Sequence, residues 1–190
     1  MKALITGASS GIGLDMARYL ATKKCELILV ARDKEKLEKI QESLPTKVTI
    51  VVADLSNEQK VKELYVLTKK EKIDVLINNA GFGLCGEFTE TDINRELEMI
   101  DTNIKAVHLL TKFFLRDMEK NNSGYILNVA SSAAFQPGPL MATYYATKSY
   151  VYQLTEAIYY EQKKKGSNVN ISVLCPGPVD TNFNNVAGVK

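Results

Sequence analysis

The sequence predicts an α/β fold in which a parallel β-sheet lies between two layers of helices. Six short apolar runs, rich in Val, Ile and Leu, alternate with five longer amphipathic stretches. Nearly continuous apolar runs are typical of strands buried on both faces, and strand–helix alternation is typical of right-handed βαβ units. The chain has 190 residues, which is most simply one domain. We therefore expect residues 1–190 to form a single three-layer, doubly wound domain of the Rossmann type.

The apolar runs and amphipathic stretches set the expected elements. The six expected strands span residues 2–6, 26–31, 47–52, 74–78, 125–129 and 170–175. The five expected helices, in which apolar residues recur about every 3.6 positions, span residues 12–22, 34–43, 58–70, 93–120 and 143–165. In such a sheet, ligands bind beyond the carboxyl ends of the strands, so the loops that follow the strands should carry the function.

The composition excludes several classes of protein. The chain carries 24 basic and 22 acidic side chains, for a net charge of +2, so we expect no nucleic-acid partner. No run approaches the roughly 20 apolar residues of a membrane span, so we expect no membrane partner either. Cys25, Cys85 and Cys175 are far apart and odd in number, which argues against a disulfide scaffold and for a reducing, cytoplasmic compartment. His108 is the single histidine, which excludes a multi-histidine zinc site.

A glycine-rich segment follows the first expected strand. Residues 6–13 read TGASSGIG, and an expected helix begins inside this segment. Gly7 permits a tight turn, Gly11 lets the backbone approach a ligand, and Gly13 lets the helix pack closely on the strand. The helix directs its unpaired N–H groups and positive dipole end at this loop, which suits a pyrophosphate. We therefore expect a dinucleotide here, also in contact with Ser9, Ser10 and Ile12; a Gly/Ser turn without a ligand is the structural alternative.

The same segment also matches a pattern from a different class of enzyme. Gly7-x-Ser9-x-Gly11 has the form of the nucleophile elbow of serine hydrolases, which needs a histidine base and an acid later in the chain. His108 is the sole candidate for that base, and its position predicts a partly buried residue in the middle of a helix. A serine hydrolase is therefore the alternative from another class.

The residues at the end of the second expected strand bear on the choice of dinucleotide. Sites that prefer NAD usually place an acidic residue there to hold the ribose 2′-hydroxyl, whereas this chain has Ala31 and Arg32. The fork of donors on an arginine favours a 2′-phosphate. We therefore expect NADP(H) rather than NAD(H). The structural alternative is a solvated Arg32 beside an Asp33 that only caps the next helix.

Further motifs follow the other expected strands in a fixed order. The series consists of TGASSGIG at 6–13, Asp54-Leu55, Asn78-Asn79-Ala80-Gly81, Asn103, Ser131, Tyr144-x-x-x-Lys148 and Pro176-Gly177-x-Val179-x-Thr181. With these motifs in this order, the sequence resembles the short-chain dehydrogenase/reductase family over residues 1 to about 183. The resemblance implies a Rossmann fold and NAD(P)-dependent oxidoreduction of an alcohol or carbonyl group.

The resemblance also implies that the loops after strands three, four and six hold the cofactor. Asp54 and Leu55 would contact the adenine, and Asn79, Ala80 and Gly81 would let the backbone approach the cofactor. The nicotinamide would be held by Pro176, Gly177, Val179 and Thr181. Ordinary structural roles stay open for some of these positions and for Asn78. Asp54 could form a turn, Asn78 could bridge two strands, and Pro176 with Gly177 could form a plain turn.

Tyr144 and Lys148 carry the expected chemistry. They stand at i and i+4 of an expected helix, so they project from one face. A tyrosine has an ordinary pKa of about 10 and a nearby ammonium favours the phenolate, so we expect a lowered pKa for Tyr144 that suits general acid/base work. The resemblance adds that Lys148 binds the nicotinamide ribose, that Ser131 hydrogen-bonds the substrate oxygen and that Asn103 supports a proton-relay water. Ser131 lies 13 residues before Tyr144, as in the family, and this spacing selects it over Ser132.

The implied reaction is hydride transfer between nicotinamide C4 and a carbonyl or secondary alcohol carbon, with Tyr144 moving the proton. Apolar residues in loops on the same side predict an apolar small-molecule substrate; they are Phe82, Leu84, Cys85, Phe88, Phe135, Pro137, Leu140 and Met141. The family commonly pairs through its two long helices, here 93–120 and 143–165, so we expect a homodimer or a higher homo-oligomer.

The chain differs from the family in its length. Typical members are longer than its 190 residues, and their extra C-terminal part covers the substrate and adds a seventh strand. We therefore expect this substrate-covering region to be absent and strand six to lie at the sheet edge. The difference leaves a further alternative, a protein that binds NADP(H) with little or no turnover.

Overall fold

Six parallel strands form one sheet that lies between two layers of helices, as the sequence predicts. The structure is a computed structural model that describes residues 1–179 and 186–188. Its strands are β1 (Lys2–Thr6), β2 (Glu26–Ala31), β3 (Val48–Val52), β4 (Val75–Asn78), β5 (Gly124–Val129) and β6 (Val169–Leu174). Its α-helices are α1 (Gly11–Thr22), α2 (Lys34–Ser43), α3 (Glu58–Thr68), α4 (Ile93–Ile100), α5 (Val107–Asn121) and α6 (Ala142–Lys165).

The expected elements are present, and one of them differs in kind. Each expected strand lies within one residue of its observed ends. The expectation of one helix over 93–120 is wrong, because a π-helical turn at Asp101–Ala106 separates α4 from α5. A π turn pairs residues i and i+5 and so takes up an extra residue without ending the helical path. The apolar pattern therefore runs on through the turn and does not reveal it.

The order of the strands creates a crevice at the carboxyl edge of the sheet. The order is β3-β2-β1-β4-β5-β6, so β1 pairs with both β2 and β4, and β6 is an edge strand. Ile5 of β1 lies opposite Leu29 on one side and Ile77 on the other. The strand order reverses at β1 and β4, so the connections that follow these two strands cover opposite faces and leave a gap between them.

Alternate side chains of the strands build the core on both faces of the sheet. On one face, Leu4, Val30 and Leu76 are buried with residues of α3 and α5. On the other face, Ile5 and Leu29 are buried with residues of α1 and α2. Burial on both faces explains why the strands appear in the sequence as nearly continuous apolar runs.

Side chains cap some of the helices and leave others without a cap. Asp33, Asn57 and Asp92 each accept a hydrogen bond from a backbone N–H in the first turn of α2, α3 and α4, respectively. Ser10 before α1 and Met141 before α6 form no such bond with their side chains. These two uncapped helix ends both lie at the carboxyl edge of the sheet.

Ion pairs lie on the outer faces of some helices. Lys34 pairs with Glu38 on α2, and Lys62 pairs with Glu58 on α3, in the i,i+4 arrangement. Exposed pairs of this kind contribute about 0–1 kcal/mol to stability. Among residues 1–179 and 186–188, no helix combines the length and the apolar character needed to cross a membrane.

Truncation of Leu76 tests the position of the core. Leu76 lies on β4 with 0% of its surface exposed, so Leu76→Ala should lower the free energy of unfolding by about 2–5 kcal/mol. The matched control is Leu67→Ala on α3, where 64% of the side chain is exposed and the expected change is within about 0.5 kcal/mol. Urea denaturation measures both variants. Equal losses would contradict the placement of β4 at the centre of the sheet.

Candidate functional site

A cleft of about 420 Å³ opens at the carboxyl edge of the sheet. Its walls come from the loops that follow all six strands and from the first turns of α6. The residues expected at a site that line this cleft are Gly7, Ser9, Ser10, Gly11, Ile12, Arg32, Asp54, Leu55, Asn79, Ala80, Gly81, Ser131, Tyr144, Lys148, Pro176, Gly177 and Val179. Gly13 and Asn103 are buried and do not line the cleft. Thr181 lies outside the described residues.

The loop between β1 and α1 packs closely against the loop after β4. Gly7 adopts a φ of +64°, and a Cβ atom at this position would lie 2.8 Å from the Cα of Ala80. A Cβ atom at Gly13 would lie 2.4 Å from the carbonyl oxygen of Gly7. Glycine at these two positions therefore lets the start of α1 and the two loops meet without a clash.

Hydrogen bonds between Thr6 and Asn79 fix this contact. The Thr6 hydroxyl accepts from the backbone N–H groups of Asn79 and Ala80, at 3.0 and 3.1 Å. The Asn79 amide nitrogen in turn donates to the carbonyl oxygens of Thr6 and Gly7, each at 3.1 Å. Sequence reasoning missed the role of Thr6. A hydroxyl at the last position of β1, beside the end of a parallel neighbour, is the signal that could have found it.

The loops after β2 and β3 place charged groups at one end of the cleft. Arg32 is exposed, and its guanidinium lies 3.2 Å from a carboxylate oxygen of Glu98. Asp54 accepts hydrogen bonds from the backbone N–H and the hydroxyl of Ser56, so it does form a turn. Burial raises the pKa of Asp54, but the bonds from Ser56 and the charge of Arg32 outweigh it, and the net pKa is lowered. Asp33 caps α2.

Asn103 lies in the π-helical turn and is 1% exposed. Its amide nitrogen donates to the carbonyl oxygen of Phe82 at 2.9 Å and to the Thr147 hydroxyl at 3.1 Å. Its amide oxygen accepts from the backbone N–H of Phe82 at 3.1 Å. The side chain therefore ties the loop after β4 to α6 and does not face the cleft. Thr147, which sequence reasoning did not select, is the anchor on α6.

Lys148 is a buried amine beside the cleft. Its Nζ donates to the carbonyl oxygen of Val129 at 3.0 Å and lies 5.8 Å from the centroid of the Tyr144 ring. Burial lowers the pKa of Lys148 to about 8, because the protein interior disfavours the charged form. A neutral-pH solution therefore leaves most of these amines protonated.

The expected lowering of the pKa of Tyr144 is wrong in this structure. Burial raises the pKa of its phenol, and a hydrogen bond with the side chain of Ser131 only partly opposes this rise. The spacing of Tyr144 and Lys148 brings the two side chains together, but it says nothing of burial. Desolvation disfavours the phenolate, and the amine of Lys148 faces the carbonyl of Val129.

Ser131 lies just after β5, at the start of a 3-10 turn formed by Ser132–Phe135. Its hydroxyl oxygen accepts from the backbone N–H of Ala133 at 3.1 Å and also interacts with Tyr144. The neighbouring Ser132 lines the cleft as well but is exposed. The contact with Tyr144 thus distinguishes Ser131 from Ser132.

Asn78 bridges strands behind the cleft, as one of the structural alternatives holds. Its amide nitrogen donates to the Oδ1 of Asn128 at 2.8 Å and to the Thr111 hydroxyl at 3.0 Å. Asn128 donates to the Thr155 hydroxyl on α6 at 2.9 Å. This buried network connects β4, β5, α5 and α6.

The expected apolar pocket is only partly present. Phe82 and Met141 line the cleft, together with Tyr145 and Val186, which sequence reasoning did not select. The others do not line it: Leu84, Phe88 and Leu140 border a separate small cavity, Phe135 and Pro137 are exposed, and the backbone N–H of Cys85 donates to the carbonyl of Ala187.

His108 lies away from the cleft. It is a half-buried residue of α5, and its Nδ1 lies 2.7 Å from the hydroxyl of Tyr150 on α6. Ser9, the serine of the nucleophile-elbow pattern, lines the cleft in the loop after β1. The serine and the base that a nucleophile elbow needs are therefore not brought together in one site.

Comparison with known proteins gives consistent matches. A family model described as short chain dehydrogenase matches residues 1–188. An uncharacterized oxidoreductase of Staphylococcus saprophyticus is 35% identical over 185 residues, which cover 94% of this chain and 78% of the relative.

Two solved structures give the same result. A short-chain dehydrogenase from Sphingobium yanoikuyae in complex with NADPH superposes with a TM-score of 0.92 at 29% identity, covering 100% of this chain and 75% of the other. A short-chain dehydrogenase/reductase from Burkholderia phymatum in complex with NAD has a TM-score of 0.92 at 31% identity, covering 99% and 69%.

Burial of Lys148 predicts a pH-dependent stability. The folded pKa of about 8 lies below the unfolded value of about 10.4, so between these values the unfolded chain binds more protons and stability rises with pH. Between pH 8 and pH 10, the unfolding free energy of the wild type should gain about 2 kcal/mol relative to Lys148→Met, as measured by urea denaturation.

The matched control is Lys105→Met. The exposed ammonium of Lys105 pairs with Asp101, and this hydrogen bond raises the pKa of the lysine. Because this pKa is raised whereas that of Lys148 is lowered, the unfolding free energy of the wild type should not increase relative to Lys105→Met between pH 8 and pH 10. Parallel curves for the wild type and Lys148→Met would contradict the burial of the amine.

Proposed function

The chain belongs to the short-chain dehydrogenase family, and we propose that it transfers hydride between NADP(H) and a carbonyl or secondary alcohol group of an apolar small molecule. The family is one of oxidoreductases. The observation that carries the proposal is the layout of the cleft: the glycine loop follows the central strand β1, Ser131, Tyr144 and Lys148 lie on its β5 side, and Arg32 and Asp54 lie on its β2 and β3 side. We propose that residues 1–190 act as one cofactor-binding unit.

The glycine loop fits the pyrophosphate of a dinucleotide. The first turn of a helix leaves backbone N–H groups unpaired, and in α1 neither a side-chain cap nor an acidic residue occupies them. A Cβ atom at Gly7 would fill the space against Ala80. We propose that the loop binds the pyrophosphate through Gly7, Ser9, Ser10, Gly11 and Ile12, with Gly13 supporting it from behind.

The remaining cofactor contacts are proposed along the same cleft. We assign the adenine to Asp54 and Leu55, and the central part of the cofactor to Asn79, Ala80 and Gly81. We assign the nicotinamide to Pro176, Gly177, Val179 and Thr181, together with Lys148 at its ribose. All of these that the structure describes line one continuous cleft, which supports the assignment.

The exposed guanidinium of Arg32 supports NADP(H) over NAD(H). Arg32 directly follows β2, at the place where sites that prefer NAD usually have an acidic residue to hold the ribose 2′-hydroxyl. Glu98 holds one of its nitrogens, and the ion pair is exposed and therefore weak, so a 2′-phosphate could displace it. The solved relatives include complexes with NADPH and with NAD, so the preference rests on Arg32.

Tyr144 is the proposed proton donor and acceptor at the substrate oxygen. When bound, the cofactor supplies or takes up the hydride. The raised pKa keeps the Tyr144 phenol protonated at neutral pH, which suits donation to a carbonyl oxygen. Ser131 would hydrogen-bond the same oxygen, and the Lys148 ammonium would stabilise the phenolate. We assign Asn103 to the same set, as the residue that holds the loop after β4 against α6 and so supports a relay water indirectly.

The walls beside Tyr144 support an apolar, uncharged substrate. Phe82, Met141 and Tyr145 pack in one cluster with Tyr144 and line the cleft. Among the described residues that line it, the sole acidic one is Asp54, at the adenine end. A substrate with a positive charge would find no partner beside Tyr144, whereas a hydrophobic ketone would exchange water for apolar contacts.

We also propose a cytoplasmic location and a homodimer or higher homo-oligomer. Cys25, Cys85 and Cys175 form no disulfide, which suits a reducing compartment.

We propose that the subunits pair through α5 and α6. Exposed tyrosines on α6, namely Tyr150, Tyr159 and Tyr160, support a contact on that helix.

Arg32→Ala tests the choice of cofactor. Loss of a charge-assisted contact with the 2′-phosphate should weaken NADPH binding about tenfold to a hundredfold and leave NADH binding unchanged. Fluorescence titration gives both Kd values, and the shift in melting temperature with each cofactor checks them. In the control Glu98→Gln, Arg32 loses only its ion pair, so NADPH affinity should be retained. Equal melting shifts of the wild type with NADPH and NADH would remove the NADP(H) preference.

Tyr144→Phe tests the reaction. The variant keeps the ring and loses the proton, so kcat for reduction of a panel of aryl ketones should fall at least about a hundredfold while the Kd for NADPH stays unchanged. Absorbance at 340 nm follows the turnover. The matched control is the neighbouring Tyr145→Phe, which should keep most of the activity. Turnover by Tyr144→Phe equal to that of the wild type would overturn the assigned mechanism.

A further inference from the structure

Glu96 is a buried carboxylate for which the proposed reaction has no use. It lies on α4 and is 6% exposed. Among the residues that the structure describes, no lysine, arginine or histidine lies within ion-pair distance of it, although such burial is costly for an isolated charge. Its two oxygens accept hydrogen bonds from two hydroxyls, those of Thr91 and Thr143.

The Thr143 hydroxyl, at 2.8 Å from Glu96, belongs to the helix that carries the chemistry. Thr143 is the second residue of α6 and directly precedes Tyr144. This helix has no side-chain cap of its own: the side chain of Met141 at its N-cap position forms no hydrogen bond with the first turn, and this turn contains no acidic residue. A helix start normally gains from a polar or negative group at this position, as α2, α3 and α4 do from Asp33, Asn57 and Asp92.

We propose that Glu96 is a positioning residue that holds the first turn of α6, and thereby Tyr144, from the neighbouring helix α4. The carboxylate lies on α4 and provides, across the contact between α4 and α6, the polar anchor that the residues before α6 lack. Thr143 transmits the constraint, because it is bonded to Glu96 on one side and joined to Tyr144 on the other. The role in turnover rests on the proposed function of Tyr144, but the anchoring of the residue does not.

The two hydroxyls that Glu96 binds make it possible to distinguish a positioning role from a merely structural one. Thr91 precedes α4, whereas Thr143 lies on α6. Thr143→Val and Thr91→Val each remove one hydroxyl from the same carboxylate and keep nearly the same volume. Both should lower the melting temperature by a similar amount. If Glu96 positions Tyr144, Thr143→Val alone should change the environment of that ring.

The experiment follows Tyr144 by ¹⁹F NMR in the full chain labelled with 3-fluorotyrosine. The resonance that is missing in Tyr144→Phe identifies the residue. We expect Thr143→Val to shift this resonance and to lower kcat with aryl ketones about tenfold at an unchanged Kd for NADPH, because a displaced proton donor fails in the transition state rather than in cofactor binding. Thr143→Ser, which restores a hydroxyl, should return both values to those of the wild type. Thr91→Val should leave the resonance unshifted.

Equal shifts of the Tyr144 resonance in Thr143→Val and Thr91→Val, or no shift in either, would overturn the positioning role. A shift in Thr143→Val that Thr143→Ser does not reverse would overturn it as well. The ¹⁹F resonance of Tyr144 can be recorded without any turnover of substrate. A chain that reduces no ketone yet shows the expected resonances would therefore contradict the proposed function and support the anchoring of Tyr144.

Discussion

The parallel pairing of β1 with both β2 and β4 is the constraint on which the candidate site depends. Because the strand order reverses at this pair, the chain leaves β1 and β4 towards opposite faces, and a crevice opens beyond the carboxyl ends of these strands. Thr6 and Asn79 then join the two loops by hydrogen bonds in both directions, which holds the loops in close contact. Gly7 follows from the same geometry, since any larger residue would meet the backbone of Ala80.

The sequence predicts the sheet well, for a physical reason. Strands buried on both faces must be apolar along their whole length, and each is followed by a loop with polar or small residues, so their ends are visible to within a residue. The cleft follows from the sheet, because parallel strands present their carboxyl ends at one edge. Asn78 marks the limit of such reasoning. Its position in the sequence is compatible with a role at the cofactor or with a bridge between two strands. Its hydrogen bonds to Asn128 and Thr111 show that it forms the bridge.

Features that depend on contacts between distant residues are not visible in the sequence. The π-helical turn at Asp101–Ala106 leaves the apolar periodicity intact and contains neither glycine nor proline, so no local signal marks it. Its cause is tertiary, since Asn103 satisfies its amide on Phe82 and Thr147. The expectation of a lowered pKa for Tyr144 is wrong for the same kind of reason. The i,i+4 spacing gives the distance to Lys148, but the burial that raises the pKa comes from the loops packed over the ring.

The cost of charge burial is concentrated at the start of α6. Among the described residues, Glu96 and Lys148 are the two charged side chains with less than a tenth of their surface exposed. One binds the first turn of this helix and the other belongs to its second turn. A fold gains little stability from buried charge, because desolvation offsets the attraction. Two such groups lie around one tyrosine, whereas the ion pairs among the described residues keep both side chains at least partly exposed. A requirement at that tyrosine explains this arrangement best. Under the proposed function, burial of the Tyr144 phenol itself holds its proton in place at neutral pH, and the Lys148 ammonium lies beside the ring for the moment at which that proton leaves.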